Sequence, residues 1–137
     1  MWVFVILGFL FGTLLAPTIM KLSQYLGLSL YNRKGLDELT KQYLGANYDL
    51  TNILQDDLFI ATFDYNSMTP RFYSKYFAKK SPGVYNLKIN EAAAASASAP
   101  VAFSPLIKEN KFGITEAFID GGIICNNPSL YAFITAS

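Results

Sequence analysis

The residues best suited to chemistry lie near the end of the chain, where Asp120 is followed directly by Gly121 and Gly122. A carboxylate can act as a general base, and a neighbouring glycine leaves room beside it for a second reactant. Open α/β sheets place their sites at the ends of strands, beside such glycines. Because Asp-Gly is also a common turn sequence, the motif alone leaves a structural turn as the simpler interpretation.

The segments on either side of this motif predict a strand before it and a helix after it. Glu116 to Asp120 is a short apolar run that predicts a strand ending in the carboxylate. The residues Asn126, Asn127 and Pro128 follow a short apolar segment at 123–125. Because Asn127 suits an N-cap and Pro128 suits a first helical residue, a helix is predicted to begin there.

The composition excludes several kinds of catalytic site. The 137 residues contain no histidine and one cysteine, Cys125. Neither a Ser-His-Asp catalytic triad nor a Cys-His catalytic dyad can therefore form within this chain. The same counts argue against a zinc site and an internal disulfide, and we predict no metal and no cofactor. Eleven basic and ten acidic residues give a net charge of +1, which predicts no nucleic-acid partner.

Hydrophobic periodicity and turn residues predict the elements that position this motif. The predicted helices are a short one at 17–26, one from Lys34 to Leu44 ended by Gly45, and an alanine-rich one from Leu87 to Ala99. The predicted strands are Leu58 to Phe63 and the return strand Arg71 to Phe77, followed by an exposed loop at 79–83. The alanine-rich helix is either simply low in complexity or adapted to lie close to a sheet.

The first 20 residues, Met1 to Met20, carry no charge and are rich in aromatic and aliphatic side chains. As a single-pass transmembrane helix the run is marginal, since it spans only about 28 Å and contains Pro17. As a secretory signal it lacks a basic start and an Ala-x-Ala site. The third interpretation is a strand and a helix buried in a larger fold. If the run spans a membrane, the basic residues from Lys21 onward put the remainder on the cytoplasmic side, so we expect a membrane-associated or cytoplasmic protein.

Four segments of the chain, in order, resemble the second half of a patatin-like phospholipase domain. They are residues 31–45 (YNRKGLDELTKQYLG), 58–74 (LFIATFDYNSMTPRFYS), 91–105 (EAAAASASAPVAFSP) and 119–133 (IDGGIICNNPSLYAF). The last two are similar to the family's small-residue helix running into Ala-Pro and to its Asp-Gly-Gly motif followed by Asn-Asn-Pro. Four motifs in the right order are far more specific than any one of them.

The resemblance implies an α/β fold, namely a partial three-layer α/β/α patatin-like fold over residues 21–137, preceded by the apolar segment 1–20. It also implies hydrolysis of lipid acyl esters by a Ser-Asp dyad, with a lipid or a membrane surface as the partner. Asp120 matches the family's catalytic aspartate, which acts as base toward a serine that forms an acyl-enzyme. The matching residues around it are Gly121, Gly122, Asn126, Asn127 and Pro128. In the small-residue helix, Ala94 stands where the family often has an arginine.

The main departure from the family concerns the nucleophile. The family's serine sits in a Gly-x-Ser-x-Gly elbow, which is expected upstream of Tyr31, but residues 27–31 (GLSLY) lack the closing glycine. A glycine-rich oxyanion loop is also missing from the sequence. Because loss of the nucleophile typically lowers turnover about a million-fold, we predict no appreciable hydrolase activity from this chain alone.

Three hypotheses about function follow. The first is a fragment of a lipid acyl hydrolase, since the chain starts abruptly and stops at Ser137 inside an apparent helix. The second is a non-catalytic, membrane-associated protein that uses the half-domain as a scaffold or lipid-binding module. The third is a chain that supplies Asp120 to a separate segment carrying the nucleophile.

Overall fold

The computed structural model describes residues 29–54, 58–85 and 87–136, which contain four strands and four α-helices. In chain order these are α1 (Arg33–Leu44), β1 (Phe59–Asp64), β2 (Thr69–Ser74), α2 (Lys75–Lys80), α3 (Ile89–Ser96), β3 (Leu106–Glu109), β4 (Thr115–Asp120) and α4 (Ser129–Ala136), with 3-10 turns at Leu50–Asn52 and Gly121–Ile123. The helix predicted at 17–26 and the apolar run from Met1 to Met20 lie outside the described residues.

The four strands form one antiparallel sheet in the order β2-β1-β4-β3. The sheet consists of two hairpins, because β1 pairs with β2 along its whole length and β3 pairs with Thr115 to Phe118 of β4. The hairpins meet through three residue pairs, in which Thr62 to Asp64 of β1 lie opposite Asp120 to Phe118 of β4. We call this the hairpin joint, and Asp120 lies at one end of it.

Helices pack against one face of the sheet, and α4 contacts the other face. On one face α3 lies across the hairpin joint, where Ala92 and Ala95 pack with Tyr73 and Phe118. On the other face Tyr131 of α4 stacks on Phe72 of β2, with ring centroids 4.8 Å apart. Successive strand residues point to opposite faces, which is why Phe72 and Tyr73 contact different helices. This helix–sheet–helix arrangement confirms the predicted α/β fold class.

Alanines form the buried face of α3. Ala92, Ala94 and Ala95 are each exposed by 1% or less, so the helix backbone lies close against the sheet. Tyr73 and Phe118 fill the space beneath it as an edge-to-face pair, with ring centroids 5.9 Å apart. Of the two interpretations of the alanine-rich segment, this packing supports close approach to a sheet.

The predicted helix from Lys34 to Leu44 is confirmed as α1, which begins one residue earlier. Its N-cap is Asn32, whose side-chain oxygen accepts a hydrogen bond from the Lys34 amide at 2.9 Å. It ends at Gly45, which has φ of 77° and donates its N–H to the Lys41 carbonyl. One side of α1 contacts α3, which places the helix beside the small-residue segment.

The prediction of a return strand from Arg71 to Phe77 is wrong in its last three residues. The strand β2 stops at Ser74, whose hydroxyl accepts a hydrogen bond from the Phe77 amide and caps α2. Lys79 and Lys80 therefore lie in the last turn of α2 rather than in the predicted loop. Their positive charges are favourable at a helix C-terminus.

The predicted helix from Leu87 to Ala99 is shorter at both ends. Lys88 forms an isolated bridge with Asp49, so its backbone is extended rather than helical. At the other end the regular helix stops at Ser96, because the Ser98 amide bonds to the carbonyl of Ala95, three residues back, and closes a tight turn.

Candidate active site

Asp120 lies where β4 ends and the 3-10 turn Gly121–Ile123 begins. Its backbone is still extended, with φ of −51° and ψ of 127°, and its Oδ1 accepts a hydrogen bond from the Gly122 amide at 2.8 Å. This bond caps the turn and holds the carboxylate beside the backbone. The residue is only partly buried, so the carboxylate remains accessible.

Gly121 fills a position in which the backbones of β4 and β1 nearly touch. A Cβ atom at this position would lie 2.3 Å from the carbonyl oxygen of Ala61 and 2.4 Å from its carbonyl carbon. Both atoms belong to the backbone of β1, so no side-chain rotation can relieve the overlap. The first glycine of the predicted motif is therefore needed for strand packing at the hairpin joint.

Gly122 is closely surrounded by the side-chain oxygens of Asn126 and Asp120. A Cβ atom there would lie 2.9 Å from the side-chain oxygen of Asn126 and 3.2 and 3.3 Å from the two carboxylate oxygens of Asp120. A larger residue would therefore displace the Asp120 carboxylate or the Asn126 amide. The absence of a side chain at Gly122 therefore lets the Asp120 carboxylate and the Asn126 amide keep their positions.

Asn127 lies two residues before the first residue of α4, so the helix begins one residue later than the sequence predicts. Its side-chain oxygen accepts a hydrogen bond from the Ser129 amide at 3.1 Å, and α4 begins at Ser129. Pro128 lies one residue earlier, and its carbonyl accepts from the Ala132 amide. Cys125 connects the turn to this cap, since its amide donates to the Gly121 carbonyl and its Sγ lies 3.3 Å from the Asn127 carbonyl oxygen.

Asp120 lines a cavity of about 580 Å³ that is bounded by described residues and open to solvent. Its walls come from the end of α1, the start of β1, the outer face of α3 and the turn after β4. The lining residues are mostly apolar: Leu44, Leu58, Phe59, Ile60, Ala61, Ile89, Ala93, Ser96, Ala97, Asp120, Gly122, Cys125, Asn126 and Pro128. A cavity of this size with few polar groups has the character of a site for a small apolar ligand. We call it the Asp120 cavity.

Ser98 connects Asp120 to α1 and α3. Its carbonyl accepts a hydrogen bond from the Asp120 amide at 3.0 Å, and its fully buried hydroxyl donates to the Ala94 carbonyl at 2.6 Å. The same hydroxyl accepts from Nη1 of Arg33 at 2.8 Å, and that nitrogen also donates to the Ser104 carbonyl. The Arg33 guanidinium of α1 thus contacts the turn after α3. The arginine that the family often has at the position of Ala94 is absent from α3 itself.

A second polar cluster lies on the same face of the sheet, away from the Asp120 cavity. Nη2 of Arg71 lies 3.3 Å from Oε1 of Glu116 and 3.9 Å from Oδ2 of Asp64, and both carboxylates are buried. Burial raises the pKa of Glu116, with the Asn110 hydrogen bond and Arg71 acting in the opposite direction. Burial also raises the pKa of Tyr73 above its ordinary value.

This cluster has a structural role in the first hairpin. Asp64 accepts hydrogen bonds from the Asn66 amide, the Ser67 hydroxyl and the Ala117 amide. These bonds fix the β1–β2 turn and attach it to β4. The hydrogen-bonding capacity of the Asp64 carboxylate is therefore used by residues of the sheet and of its first turn.

Neither a metal-binding cluster nor a membrane-spanning helix is present within the described ranges 29–54, 58–85 and 87–136. Within them, no group of three or more histidine, cysteine, aspartate or glutamate side chains is arranged to hold a metal ion. None of the helices in that part of the chain is both long and apolar enough to cross a membrane.

The predicted site residues lie together, although their contacts differ. Asp120, Gly122, Asn126 and Pro128 line the Asp120 cavity; Gly121 packs against Ala61; and Asn127 accepts a hydrogen bond from the first residue of the next helix. Sequence reasoning missed Ser98 and Arg33. A serine within an alanine run is a weak signal of a buried polar contact, and nothing in the sequence links it to an arginine 65 residues away.

Comparison with known proteins bears directly on this site. A family model for patatin-like phospholipase matches residues 3–133 of the chain, a range that includes the whole described site.

Three relatives are similar over most of this chain. Patatin-like protein 3 of Arabidopsis thaliana is 32% identical over 109 residues, which are 74% of this chain and 24% of that protein. Patatin-like protein 2 of Oryza sativa subsp. indica is 32% identical over 114 residues, covering 78% of this chain and 27% of that protein. Patatin-like protein 1 of Arabidopsis thaliana is 30% identical over 124 residues, covering 85% and 28%. The chain therefore spans about a quarter of the length of the curated relatives that it matches.

Proposed function

The chain belongs to the patatin-like phospholipase family, and on that premise we propose that it contributes Asp120 as the base of a Ser-Asp dyad that hydrolyses lipid acyl esters. The observation that carries this proposal is the Asp120 carboxylate in the wall of an apolar cavity of about 580 Å³. The cavity offers apolar walls for an acyl chain, and Asp120 is one of the residues that line it.

The chemistry assigned to Asp120 needs no histidine. Its carboxylate accepts the proton of a serine hydroxyl as that oxygen attacks the ester carbonyl, and the alcohol or lysolipid leaves as an acyl-enzyme forms. Water then hydrolyses the acyl-enzyme to release a fatty acid. Hydrogen bonding of Oδ1 to the Gly122 amide fixes the carboxylate for this role.

The serine in this proposal comes from a separate segment. The sequence contains no Gly-x-Ser-x-Gly elbow, so the dyad needs a serine from another segment, which would reach Asp120 through the solvent-open cavity. The chain alone is therefore proposed to be inactive, and its partners are a lipid and the serine-bearing segment.

Complementation tests this proposal. The chain is co-expressed with the upstream portion of a relative that carries Gly-x-Ser-x-Gly, and hydrolysis of a chromogenic medium-chain acyl ester is measured. We expect background rates from each part alone, hydrolysis from the pair, and loss of that gain with Asp120→Asn. The matched control is Asp49→Asn, at an exposed carboxylate outside the cavity, which should leave the rate unchanged. A pair that hydrolyses the ester equally well with Asp120→Asn would contradict the role of Asp120.

A non-catalytic lipid-binding module is the second candidate function. The combination of an apolar cavity and a sequence without the serine elbow favours it. In this case a fluorescent fatty acid binds the chain alone, and Asp120→Asn leaves its affinity unchanged. For the membrane-associated version, carbonate extraction of the expressed chain is the test, and release into the supernatant would exclude a membrane-spanning anchor.

A further inference from the structure

The basic residues of the chain are concentrated in one segment. Residues 65–90 contain five basic residues and no acidic one, while the rest of the chain contains six basic and ten acidic residues. The net charge of +1 therefore conceals a local excess of positive charge in the part of the chain that forms β2, α2 and the loop after α2. A surface of this kind attracts anions more strongly than the charge of the whole chain predicts.

Two neighbouring elements carry exposed lysines. Lys79 and Lys80 are exposed in the last turn of α2, and Lys111 is exposed in the β3–β4 turn. The loop after α2 meets that turn at Gly83, where a Cβ atom would lie 3.3 Å from the Phe112 ring and 3.8 Å from Cδ of Lys111. None of the three lysines forms an ion pair with another residue in the described ranges, so their charges are available to a partner.

Large apolar side chains are exposed among these lysines. Tyr76 is an exposed residue of α2, and the Lys80 ammonium lies 5.5 Å from the centre of its ring. Phe112 and Ile114 of the β3–β4 turn are each more than half exposed. Glu109, at the base of the same turn, is exposed as well, so this surface has a net charge of +2. We call the following residues the basic–aromatic patch: Tyr76, Lys79, Lys80, Lys111, Phe112 and Ile114.

Local contacts hold both parts of the patch in place. In the β3–β4 turn the Asn110 amide donates to the Ile114 carbonyl at 3.0 Å, and the Asn110 side-chain oxygen accepts from the amides of Phe112 and Ile114. After α2, the rings of Phe77 and Tyr85 stack with centroids 5.3 Å apart and anchor the loop. The patch therefore needs little ordering when it binds, which favours affinity.

We propose that the basic–aromatic patch docks on an anionic membrane surface. Lysines favour the negatively charged headgroups, and exposed aromatic and aliphatic side chains favour the boundary between headgroups and acyl chains. Three lysines beside an exposed Ile114 suit lipid better than nucleic acid, whose binding depends on many phosphate contacts. The proposal goes beyond the proposed function, because the patch lies outside the Asp120 cavity and needs no activity of Asp120.

Vesicle binding by the full chain tests this proposal. Affinity is measured by flotation with vesicles of phosphatidylcholine alone and with vesicles that also contain phosphatidylserine. Each basic residue near an anionic surface contributes about fivefold in affinity. A net charge of +2 therefore predicts about thirtyfold tighter binding to the anionic vesicles, and added salt should largely remove the difference.

Paired charge variants separate the patch from the rest of the surface. Lys79→Gln combined with Lys80→Gln should remove the preference for anionic vesicles. The matched control is Lys34→Gln combined with Lys41→Gln, which removes the same charge from exposed positions of α1. Because the control lysines lie outside the patch, their loss should change the affinity by less than about fivefold.

A second matched pair tests the apolar contact. Phe112→Ala should lower the affinity for anionic vesicles about tenfold, because the ring no longer leaves water when the patch docks. Phe133→Ala should leave the affinity unchanged, although Phe133 of α4 is 74% exposed and Phe112 is 71% exposed. Circular dichroism checks that each variant folds. Asp120→Asn should leave vesicle binding unchanged, so failure of this proposal and failure of the dyad proposal are distinguishable.

Three outcomes would overturn the proposal. The first is equal affinity for the two kinds of vesicle, which means that any membrane contact is made elsewhere in the chain. The second is an equal loss of affinity from the control lysine pair in α1, which means that only the overall charge matters. The third is binding of polyglutamate or a short DNA duplex as tightly as anionic vesicles, which means that the patch binds a dissolved polyanion.

Discussion

Substituting Gly121 by alanine tests the geometry of the hairpin joint most directly. The new methyl group would lie 2.3 Å from the Ala61 carbonyl oxygen, so one of the two strand backbones must move. Overpacking of this kind costs up to about 3 kcal/mol. Replacing glycine also restricts the unfolded chain, which offsets about 0.5–1 kcal/mol. We therefore expect the free energy of unfolding to fall by about 2 kcal/mol.

Urea denaturation followed by circular dichroism measures this change. With a slope of about 1.5 kcal/mol per molar urea, a loss of about 2 kcal/mol lowers the midpoint by about 1.3 M. Gly122→Ala is the matched control, because its methyl group meets the movable ends of Asn126 and Asp120 rather than backbone. The urea midpoint of Gly122→Ala should shift by less than half as much as that of Gly121→Ala, although the added methyl group displaces the Asp120 carboxylate. Equal midpoints for the two variants would refute the argument that Gly121 is required by backbone contact.

Three further predictions concern buried polar groups. The Tyr73 hydroxyl is buried without a hydrogen-bond partner among the described residues, so Tyr73→Phe should leave the urea midpoint unchanged or raise it; a clear loss would reveal a partner. Ser98→Ala removes the hydroxyl that joins Arg33 to α3 and should lower the free energy of unfolding by about 1–3 kcal/mol in the same assay, whereas an unchanged midpoint would show that this contact contributes nothing. Because burial raises the pKa of Glu116 above its ordinary value of 4.5, its contribution to stability is present below that pH and lost as pH rises through the raised pKa. Glu116→Gln should weaken this fall in urea midpoints measured across a pH series, and parallel curves for the two proteins would contradict the raised pKa.

The elements with local sequence signals were predicted well. Gly45 and the apolar spacing before it defined the end of α1, and Asp120 with its glycines defined the end of β4. The helix α2 was not predicted because the residues after Arg71 have strand propensity. The hydrogen bond from the Phe77 amide to the Ser74 hydroxyl, which starts the helix, is apparent only in the structure. Residue propensities cannot locate this change from strand to helix at Ser74, because tertiary contacts determine it.

The site was predicted in part, for the same reason. The motif around Asp120 is local, so its turn and the presence of a helix soon after it could be derived from residue types. The attachment of Asp120 to Ser98, and of Ser98 to Arg33, joins segments 22 and 65 residues apart. Contacts between residues so far apart in the sequence depend on how α1 and α3 pack against each other. The hydrophobic periodicity of the sequence does not specify that packing.

The hairpin joint has a consequence for how the site assembles during folding. Each hairpin closes over a short turn, whereas Thr62 and Asp120 are 58 residues apart (120 − 62), so their pairing carries the larger loop-closure entropy. We expect the two hairpins to form first and the joint to form late, under the cover of α3. Asp120 then reaches its place only in the last step. Brief separation of two intact hairpins would take the carboxylate out of position, and amide hydrogen exchange at residues 62–64 and 118–120 would report that opening ahead of global unfolding.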